Sequence, residues 1–290
     1  MKRTILTILA SAALMIAAQA QIDTPQPSPA GSVSSRIGLT DLKVEYYRPK
    51  MKGRKIFGAG SDFLIPFGQI WRTGANAGTV VSFPDEISFG GEKVAAGQYL
   101  LFTKPGASNW DVMLYNDITI GGNVAAYKTE NEVVKVTVPS AKLTEKVETF
   151  TINIAHISED NKTAHLQIAW ENTAVNIPIE VDFDKKVLES IAVNTKVNPN
   201  NLLAAANYYY STNRELDKAL EWVNTYLAVD NNGRQFWNVH LKAQILAKMG
   251  DKKGAIETAT KSLEMAKANK NGDFGYIARN EALIASVKGK

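Results

Sequence analysis

Residues 149–170, "TFTINIAHISEDNKTAHLQIAW", predict two β-strands joined by a short turn, and they indicate the fold class of the first part of the chain. Apolar side chains alternate with polar ones in both strands, as in a half-buried sheet. They are Phe150, Ile152 and Ile154 in the first strand and Leu166, Ile168 and Trp170 in the second. Both sets can face one core only if the two residue numbers of each cross-strand pair sum to an even value. A shift of the register by one residue would move the apolar side chains of one strand to the opposite face. The turn must then have an odd length, of about three or five residues.

This register also separates two histidines. His156 follows the core-facing set at the end of the first strand, whereas His165 lies on the opposite face of the second. We therefore expect one packed histidine and one on the surface, and no two-histidine metal site. The sequence predicts neither a metal nor a cofactor.

The β pattern extends over residues 33–184. Short runs rich in Val, Ile, Tyr and Phe alternate with turns that contain Gly, Pro and Asn, and no helical periodicity interrupts them. The predicted strands are Leu42–Arg48, Thr79–Phe83, Glu86–Phe89, Gln98–Thr103, Trp110–Tyr115, Val133–Val138, Phe150–His156, Ala164–Trp170 and Ala174–Val181. About nine short strands in about 150 residues are typical of an all-β sandwich or jelly roll.

The N-terminal residues 1–20, "MKRTILTILASAALMIAAQA", have the pattern of a cleaved signal peptide. Two basic residues precede an apolar run that is too short to span a bilayer, and Ala18-Gln19-Ala20 places small residues at the cleavage site. Residues 21–32, "QIDTPQPSPAGS", indicate a flexible leader. We expect a periplasmic or secreted protein with no lipid anchor, since there is no cysteine, and no transmembrane segment after cleavage.

The composition excludes several classes of function. Loss of Lys2 and Arg3 with the signal lowers the net charge from +4 to +2, so nucleic acid is not an expected partner. The absence of cysteine removes disulfides, thiolate catalysis and cysteine–zinc sites together. Burial alone must therefore stabilise the mature chain.

Residues 185–290 are helical in pattern. A spacing of 36 residues relates Tyr210, Ala219 and Val223 to Leu246, Ala255 and Ala259. Residues 246–266, "LAKMGDKKGAIETATKSLEMA", resemble a tetratricopeptide repeat, whose period is about 34 residues, with Gly250 in the turn and Ala255 at the helix crossing. We expect an all-α tetratricopeptide-like module that ends in the helix Phe274 to Val287 and offers a surface to a protein or peptide.

Two loops carry polar residues that strand formation does not explain. Residues 46–58, "YYRPKMKGRKIFG", include Arg48 and Arg54, and residues 70–76, "IWRTGAN", add Trp71, Arg72 and Asn76. Guanidinium groups suit carboxylate or sulfate ligands, and exposed tryptophan faces stack on sugar rings. With Glu171 at a strand end, these residues form the candidate ligand site. The alternative is that the arginines pair with acids such as Glu45 and Glu171 and that Trp71 fills the core.

No catalytic residues can be assigned. Gly74 and Gly78 are separated by three residues with no following Lys, which excludes a P-loop, and no βαβ unit is present for a dinucleotide. The separated histidines leave no base beside a Ser or Thr. A pair of carboxylates stays open, with Asp111, Glu171, Glu45 and Asp85 as the acids to consider.

Four sequence blocks together resemble the domain of unknown function 2911 family of bacterial exported proteins. They are "SPAGSVSSRIGLTDLKVEYYRPKMKGRKIFG", "LIPFGQIWRTGANAGT", "GEKVAAGQYLLFTKPGASNWDVMLYND" and "IAWENTAVNIPI". The resemblance covers about Pro27 to Pro178 and implies export and, often, a tetratricopeptide-like tail. It implies no catalytic role for the matching residues, which are Arg48, Pro49, Gly53, Arg54, Trp71, Arg72, Gly74, Asn76, Gly97, Trp170 and Glu171.

These patterns favour a binding or interaction protein of unestablished activity. Its β domain would hold a glycan or a small anionic ligand, and its helical repeats a protein or peptide. One alternative is a carboxylate-dependent glycan hydrolase, which needs two acids roughly 5–10 Å apart in a cleft. Another is a structural component of the cell envelope.

Overall fold

A computed structural model describes residues 24–196, 198, 200–229 and 232–289. The predicted signal peptide, residues 1–20, lies outside these residues. The chain divides into two compact units between Phe183 and Asp184, the first built from strands and the second from helices. Within the described residues, no helix is long and apolar enough to cross a membrane.

Eleven strands form the β unit in the described part of the chain. They are β1 Ala30–Ile37, β2 Thr40–Tyr47, β3 Phe57–Gly58, β4 Ile65–Pro66, β5 Thr79–Phe83, β6 Ile87–Phe89, β7 Glu92–Val94, β8 Gly97–Pro105, β9 Asn109–Tyr115, β10 Glu132–Ala155 and β11 Thr163–Val181. Nine of them form one antiparallel sheet in the order β1-β2-β5-β8-β9-β10-β11-β6-β7, while β3 and β4 pair separately. The all-β fold class predicted from the sequence is confirmed.

Strand β10 belongs to both halves of this sheet. Its residues 132–139 pair with β9, and its residues 140–155 pair with β11, with register shifts between Lys142 and Thr151. Buried side chains from both halves belong to one core cluster, so the sheet folds over at β10 into two layers. The Tyr46 hydroxyl in β2 ties the layers together, since it donates to the carbonyl oxygen of Ile152 and accepts from its amide, both at 3.1 Å.

The hairpin formed by residues 149–170 has the predicted register. Ile152 pairs with Ile168 and Ile154 with Leu166, and all four side chains are buried. The connecting loop, residues 156–162, has an odd length as predicted but is seven residues long.

The prediction that His156 faces the core, apart from His165, is wrong. Strand β10 ends at Ala155, and His156 takes a left-handed φ of 54°, so strand alternation no longer directs its side chain. His156 is exposed, and its ring centroid lies 5.5 Å from that of His165. Among the described residues, no three His, Cys, Asp or Glu side chains are placed to hold a metal ion.

Three strands, β1, β10 and β11, differ from the prediction. β1 begins at Ala30, inside the segment 21–32 for which we expected a flexible leader, and it pairs with the whole of β2. β10 and β11 each unite two predicted strands. In β10, the uniting residues 140–149 are mostly exposed, and Glu145 interrupts the apolar series of Ala141, Leu143 and Val147.

Six helices form the second unit among the described residues. They are α1 Asp184–Asn194, α2 Asn201–Ser211, α3 Leu216–Ala228, α4 Phe236–Met249, α5 Lys252–Ala268 and α6 Tyr276–Lys288. The 36-residue spacing relates α2–α3 to α4–α5, and its small residues Ala219, Val223, Ala255 and Ala259 are fully buried. Gly250 ends α4 with a φ of 88°, and Asp251 caps α5, as in a tetratricopeptide-like pair.

Candidate functional site

Four of the six predicted site residues line one cavity of the β unit. They are Arg54, Trp71, Arg72 and Asn76, and the cavity has a volume of about 400 Å³. The loop between β4 and β5 supplies three of them, and Arg54 comes from the loop that follows β2. Leu64 and Ile65, which the sequence reasoning missed, add an apolar wall together with Trp170.

The loop is fixed to the sheet at Trp71. The Trp71 amide donates to the Thr103 carbonyl oxygen at 2.7 Å, and the Thr103 amide donates back at 2.9 Å. Its indole Nε1 donates to the Gly74 carbonyl oxygen at 3.1 Å, which closes a tight turn around Thr73. These contacts hold the next residue in the chain, Arg72, at the rim of the cavity.

The backbone of this loop is strained. Thr73, Gly74, Asn76 and Gly78 all have positive φ, with values of 53°, 145°, 54° and 88°. Glycine takes such angles freely, but a β-branched threonine in this region is a rare outlier. Thr73 is fully buried, and its hydroxyl lies 3.1 Å from that of Thr103. Strain of this kind is held by the surrounding structure and is found most often at functional sites.

Trp71 is part of the core. Only 9% of it is exposed, and its ring stacks on Trp170 at 5.9 Å and meets Phe57 and Phe150 edge-on at 5.7 and 5.2 Å. Its faces are therefore not free to stack on a sugar. Trp71 and Trp170 instead form the floor of the cavity and keep its base apolar.

The arginines are not paired with acids. Among the described residues, no carboxylate lies within 4.0 Å of the guanidinium of Arg48, Arg54 or Arg72, and Glu45 pairs instead with Lys43 at 2.9 Å. Internal ion pairs with Glu45 and Glu171, the structural alternative for these arginines, are therefore absent.

Both cavity arginines keep unused donors. Arg54 donates to the carbonyl oxygens of Met51 and Lys50, at 2.9 and 2.7 Å, and Arg72 donates to that of Asn76 at 3.0 Å. A guanidinium has about five N–H donors in a planar fork. Arg54 and Arg72 can therefore direct most of their donors at a ligand while their stems stay anchored.

The other two predicted site residues do not line the cavity. Arg48 donates to the Phe150 carbonyl oxygen at 3.4 Å and to the Thr151 hydroxyl at 3.2 Å, so it ties the end of β2 to β10. Glu171 lies in β11 opposite Val147, at a register irregularity, and has a φ of 54°. It is not among the described residues that line this cavity, whereas its neighbour Trp170 is.

A second loop, residues 116–131, supports the site and was missed by the sequence reasoning. A Cβ on Gly122 would lie 2.3 Å from the Asn76 carbonyl oxygen and 2.9 Å from Cδ of Arg72. A Cβ on Gly78 would lie 3.2 Å from the Gly121 carbonyl oxygen. The consecutive glycines "GG" at 121–122 were the available signal, since they permit this close approach.

Two of the acids considered for hydrolysis accept hydrogen bonds from threonines. Asp85 accepts a hydrogen bond from Thr40 at 2.9 Å, and Asp111 accepts one from Thr137 at 2.8 Å. Glu45 on β2 and Asp111 on β9 are separated by two intervening strands of the sheet. Among the described residues that line the cavity, none is acidic, so the cavity offers no carboxylate pair.

The fold and this cavity define an all-β domain with a cationic, aromatic-floored cleft, followed by an all-α module. The family described as "Protein of unknown function (DUF2911)" matches residues 28–179, more than half of the chain. The chain belongs to this family. Neither the curated proteins nor the solved structures contain a match.

Proposed function

We propose that this is an exported binding protein whose β domain holds a small anionic ligand in the cavity beneath Arg54 and Arg72. The observation that carries the proposal is that two guanidiniums, neither with a carboxylate partner in the described part of the chain, line one cavity with an apolar floor. Charge-assisted, forked hydrogen bonds are the strong interactions of arginine with carboxylate and sulfate.

The cavity favours an anion over a neutral glycan. Sugar recognition relies on open aromatic faces, whereas Trp71 and Trp170 stack on each other and are buried. The arginines place N–H donors at the rim of the cavity. The side-chain amide of Asn76 donates to the Ser28 carbonyl oxygen at 3.4 Å. A carboxylate attached to an apolar group satisfies both the rim and the floor.

A panel of matched probes tests this proposal. The full chain is heated with benzoate, glucuronate or sulfate, and with the neutral counterparts benzyl alcohol and glucose at equal ionic strength. A ligand that binds the folded state at about a hundred times its Kd stabilises it by about 2.7 kcal/mol. We expect the anions to raise the Tm and the neutral compounds to leave it unchanged. Equal stabilisation by glucose and glucuronate would favour a glycan, and no stabilisation by any probe would favour a structural role.

The helical unit offers a second surface, to a protein or peptide. Side chains of α2, α4 and α6 line a cavity of about 730 Å³ within that unit. Retention of random-sequence peptides on the immobilised full chain tests this part of the proposal.

A further inference from the structure

The cavity of the helical unit contains an unusual histidine. Helices α2, α4 and α6 line it through Asn207, Trp237, His240, Gln244, Tyr276 and Arg279. His240 is only 6% exposed, and it is the one titratable side chain among the described lining residues that is buried. Its protonation state therefore decides which ligand groups can form hydrogen bonds at the floor of the cavity.

A chain of buried hydrogen bonds fixes the tautomer of His240. Ser262 donates its hydroxyl proton to the Phe236 carbonyl oxygen at 2.7 Å, so the same hydroxyl accepts from Nδ2 of Asn280 at 3.0 Å. The second N–H of Asn280 Nδ2 donates to the Tyr276 carbonyl oxygen at 2.7 Å. The side-chain oxygen of Asn280 therefore accepts from Nδ1 of His240 at 2.7 Å, and Nδ1 carries the proton.

Nε2 of His240 is consequently a free acceptor. It has no hydrogen-bond partner among the described residues. Unlike Nδ1 of His165, it is not fully buried. Burial lowers the pKa of His240, which keeps the imidazole neutral near pH 7. A buried acceptor that opens on a cavity favours a ligand with an N–H donor.

A cation lies close to this acceptor. The Arg279 guanidinium covers the Tyr276 ring at 4.8 Å from its centroid, and the His240 ring meets the same ring at 5.4 Å. The two groups are therefore no more than about 10 Å apart, a span of about three residues of extended chain. No carboxylate lies within 4.0 Å of Arg279 among the described residues. The side-chain amides of Asn207 and Gln244 also have no hydrogen-bond partners there, and they match the donor and acceptor of a peptide group.

We infer that this cavity binds a short acidic peptide segment, with a peptide N–H donating to Nε2 of His240 and a side-chain carboxylate pairing with Arg279. The inference deepens the proposed role of the helical unit and does not depend on the β-domain cavity. The carboxylate belongs to an internal acidic residue, because the lining continues along α6 beyond Arg279 to Leu283 and Ser286. Ser286 lies seven residues further on, about 10 Å along the helix axis. A peptide that ended at Arg279 would leave this part of the cavity empty.

Three peptide libraries test the inference on the immobilised full chain. All have acetylated N-termini and random flanks. The first fixes Asp or Glu at the central position with an amidated C-terminus, the second replaces these with Asn or Gln, and the third keeps Asn or Gln but has a free C-terminal carboxylate. We expect the first library to be retained at least tenfold more than the second, the ratio typical of one hydrogen bond to a charged group.

Matched variants assign this preference to the site. Arg279→Gln removes an exposed guanidinium and should bring the first two libraries to parity, whereas Lys288→Gln removes a charge from the same helix outside the cavity and should keep the preference. His240→Phe should weaken the retention of all peptides, with circular dichroism to verify folding.

Several outcomes would overturn the inference. They are equal retention of the first two libraries by the unmodified chain, equal losses in Arg279→Gln and Lys288→Gln, and a preference for the third library, which would point to a chain terminus. Retention without any acidic preference would leave the helical unit as a peptide-binding surface, whereas no retention of any library would remove that role as well.

Discussion

Replacement of Arg72 by alanine separates recognition from structural support at the β-domain cavity. Among the described residues, the change removes one hydrogen bond, from Nη1 to the Asn76 carbonyl oxygen at 3.0 Å, and breaks no ion pair. A bond of this kind contributes about 1 kcal/mol net. For a domain of this size the Tm should fall by about 2–4 °C. Loss of one partner of a buried ion pair would instead cost about 3–5 kcal/mol and more than about 6 °C.

Ligand binding should respond much more strongly than stability. A charge-assisted hydrogen bond to an anion is worth about 1.5–3 kcal/mol, so Arg72→Ala should weaken binding by roughly tenfold to a hundredfold. The assay is isothermal titration with whichever of benzoate, glucuronate or sulfate stabilises the unmodified chain most. Arg36→Ala is the control, because Arg36 carries the same group in an exposed pair with Asp41 at 3.6 Å, away from the cavity.

Two results would refute this reasoning. A fall in Tm of the size expected for a broken ion pair would make Arg72 a structural residue. Equal losses of affinity in Arg72→Ala and Arg36→Ala would show that the anion responds to net charge and not to the cavity.

Three further changes have defined outcomes. Tyr46→Phe leaves the amide and carbonyl of Ile152 without their partner, and we expect a loss of about 1–3 kcal/mol in urea denaturation; an unchanged midpoint would contradict this. Gly122→Ala places a Cβ 2.3 Å from the Asn76 carbonyl oxygen, so we expect an unchanged circular dichroism spectrum but no ligand-dependent rise in Tm, and a normal rise would count against the role of this glycine. Burial lowers the pKa of His240 from 6.5, so the folded chain binds fewer protons than the unfolded chain in acid. Stability should therefore be complete above about pH 6.5 and fall as the pH drops through the folded pKa, and denaturant midpoints should show no such fall in His240→Gln.

Alternation predicted the strands that bury one face, and it failed where burial is absent. Residues 140–149 of β10 carry polar side chains on both faces, so the strand reads as two short ones in sequence. β1 is "AGSVSSRI", in which only Val33 and Ile37 are large and apolar, and it forms because β2 offers a complete set of backbone partners.

The residue types of the candidate site were predictable from the sequence, but the directions of their side chains were not. Arginine and tryptophan in one loop pointed to a site, yet the burial of Trp71 depends on its pairing with Thr103, far along the chain. Glu171 lies beside Trp170 in sequence but is not among the described lining residues, since successive side chains of a strand point to opposite faces. The placement of His156 fails because a left-handed residue ends the alternation on which it rests.

The shared strand β10 has a consequence for how the β domain comes apart. The start of β10 pairs with β9 in one layer, and its end pairs with β11 in the other. If β10 separates from either layer, the other layer therefore loses a neighbouring strand. Native-state hydrogen exchange should therefore find the slowest amides of both layers opening together, as one cooperative unit. A cut within residues 140–149 would divide the strand that the two layers share, and because these residues are exposed, the rate of proteolysis there would measure how often this part of the domain opens.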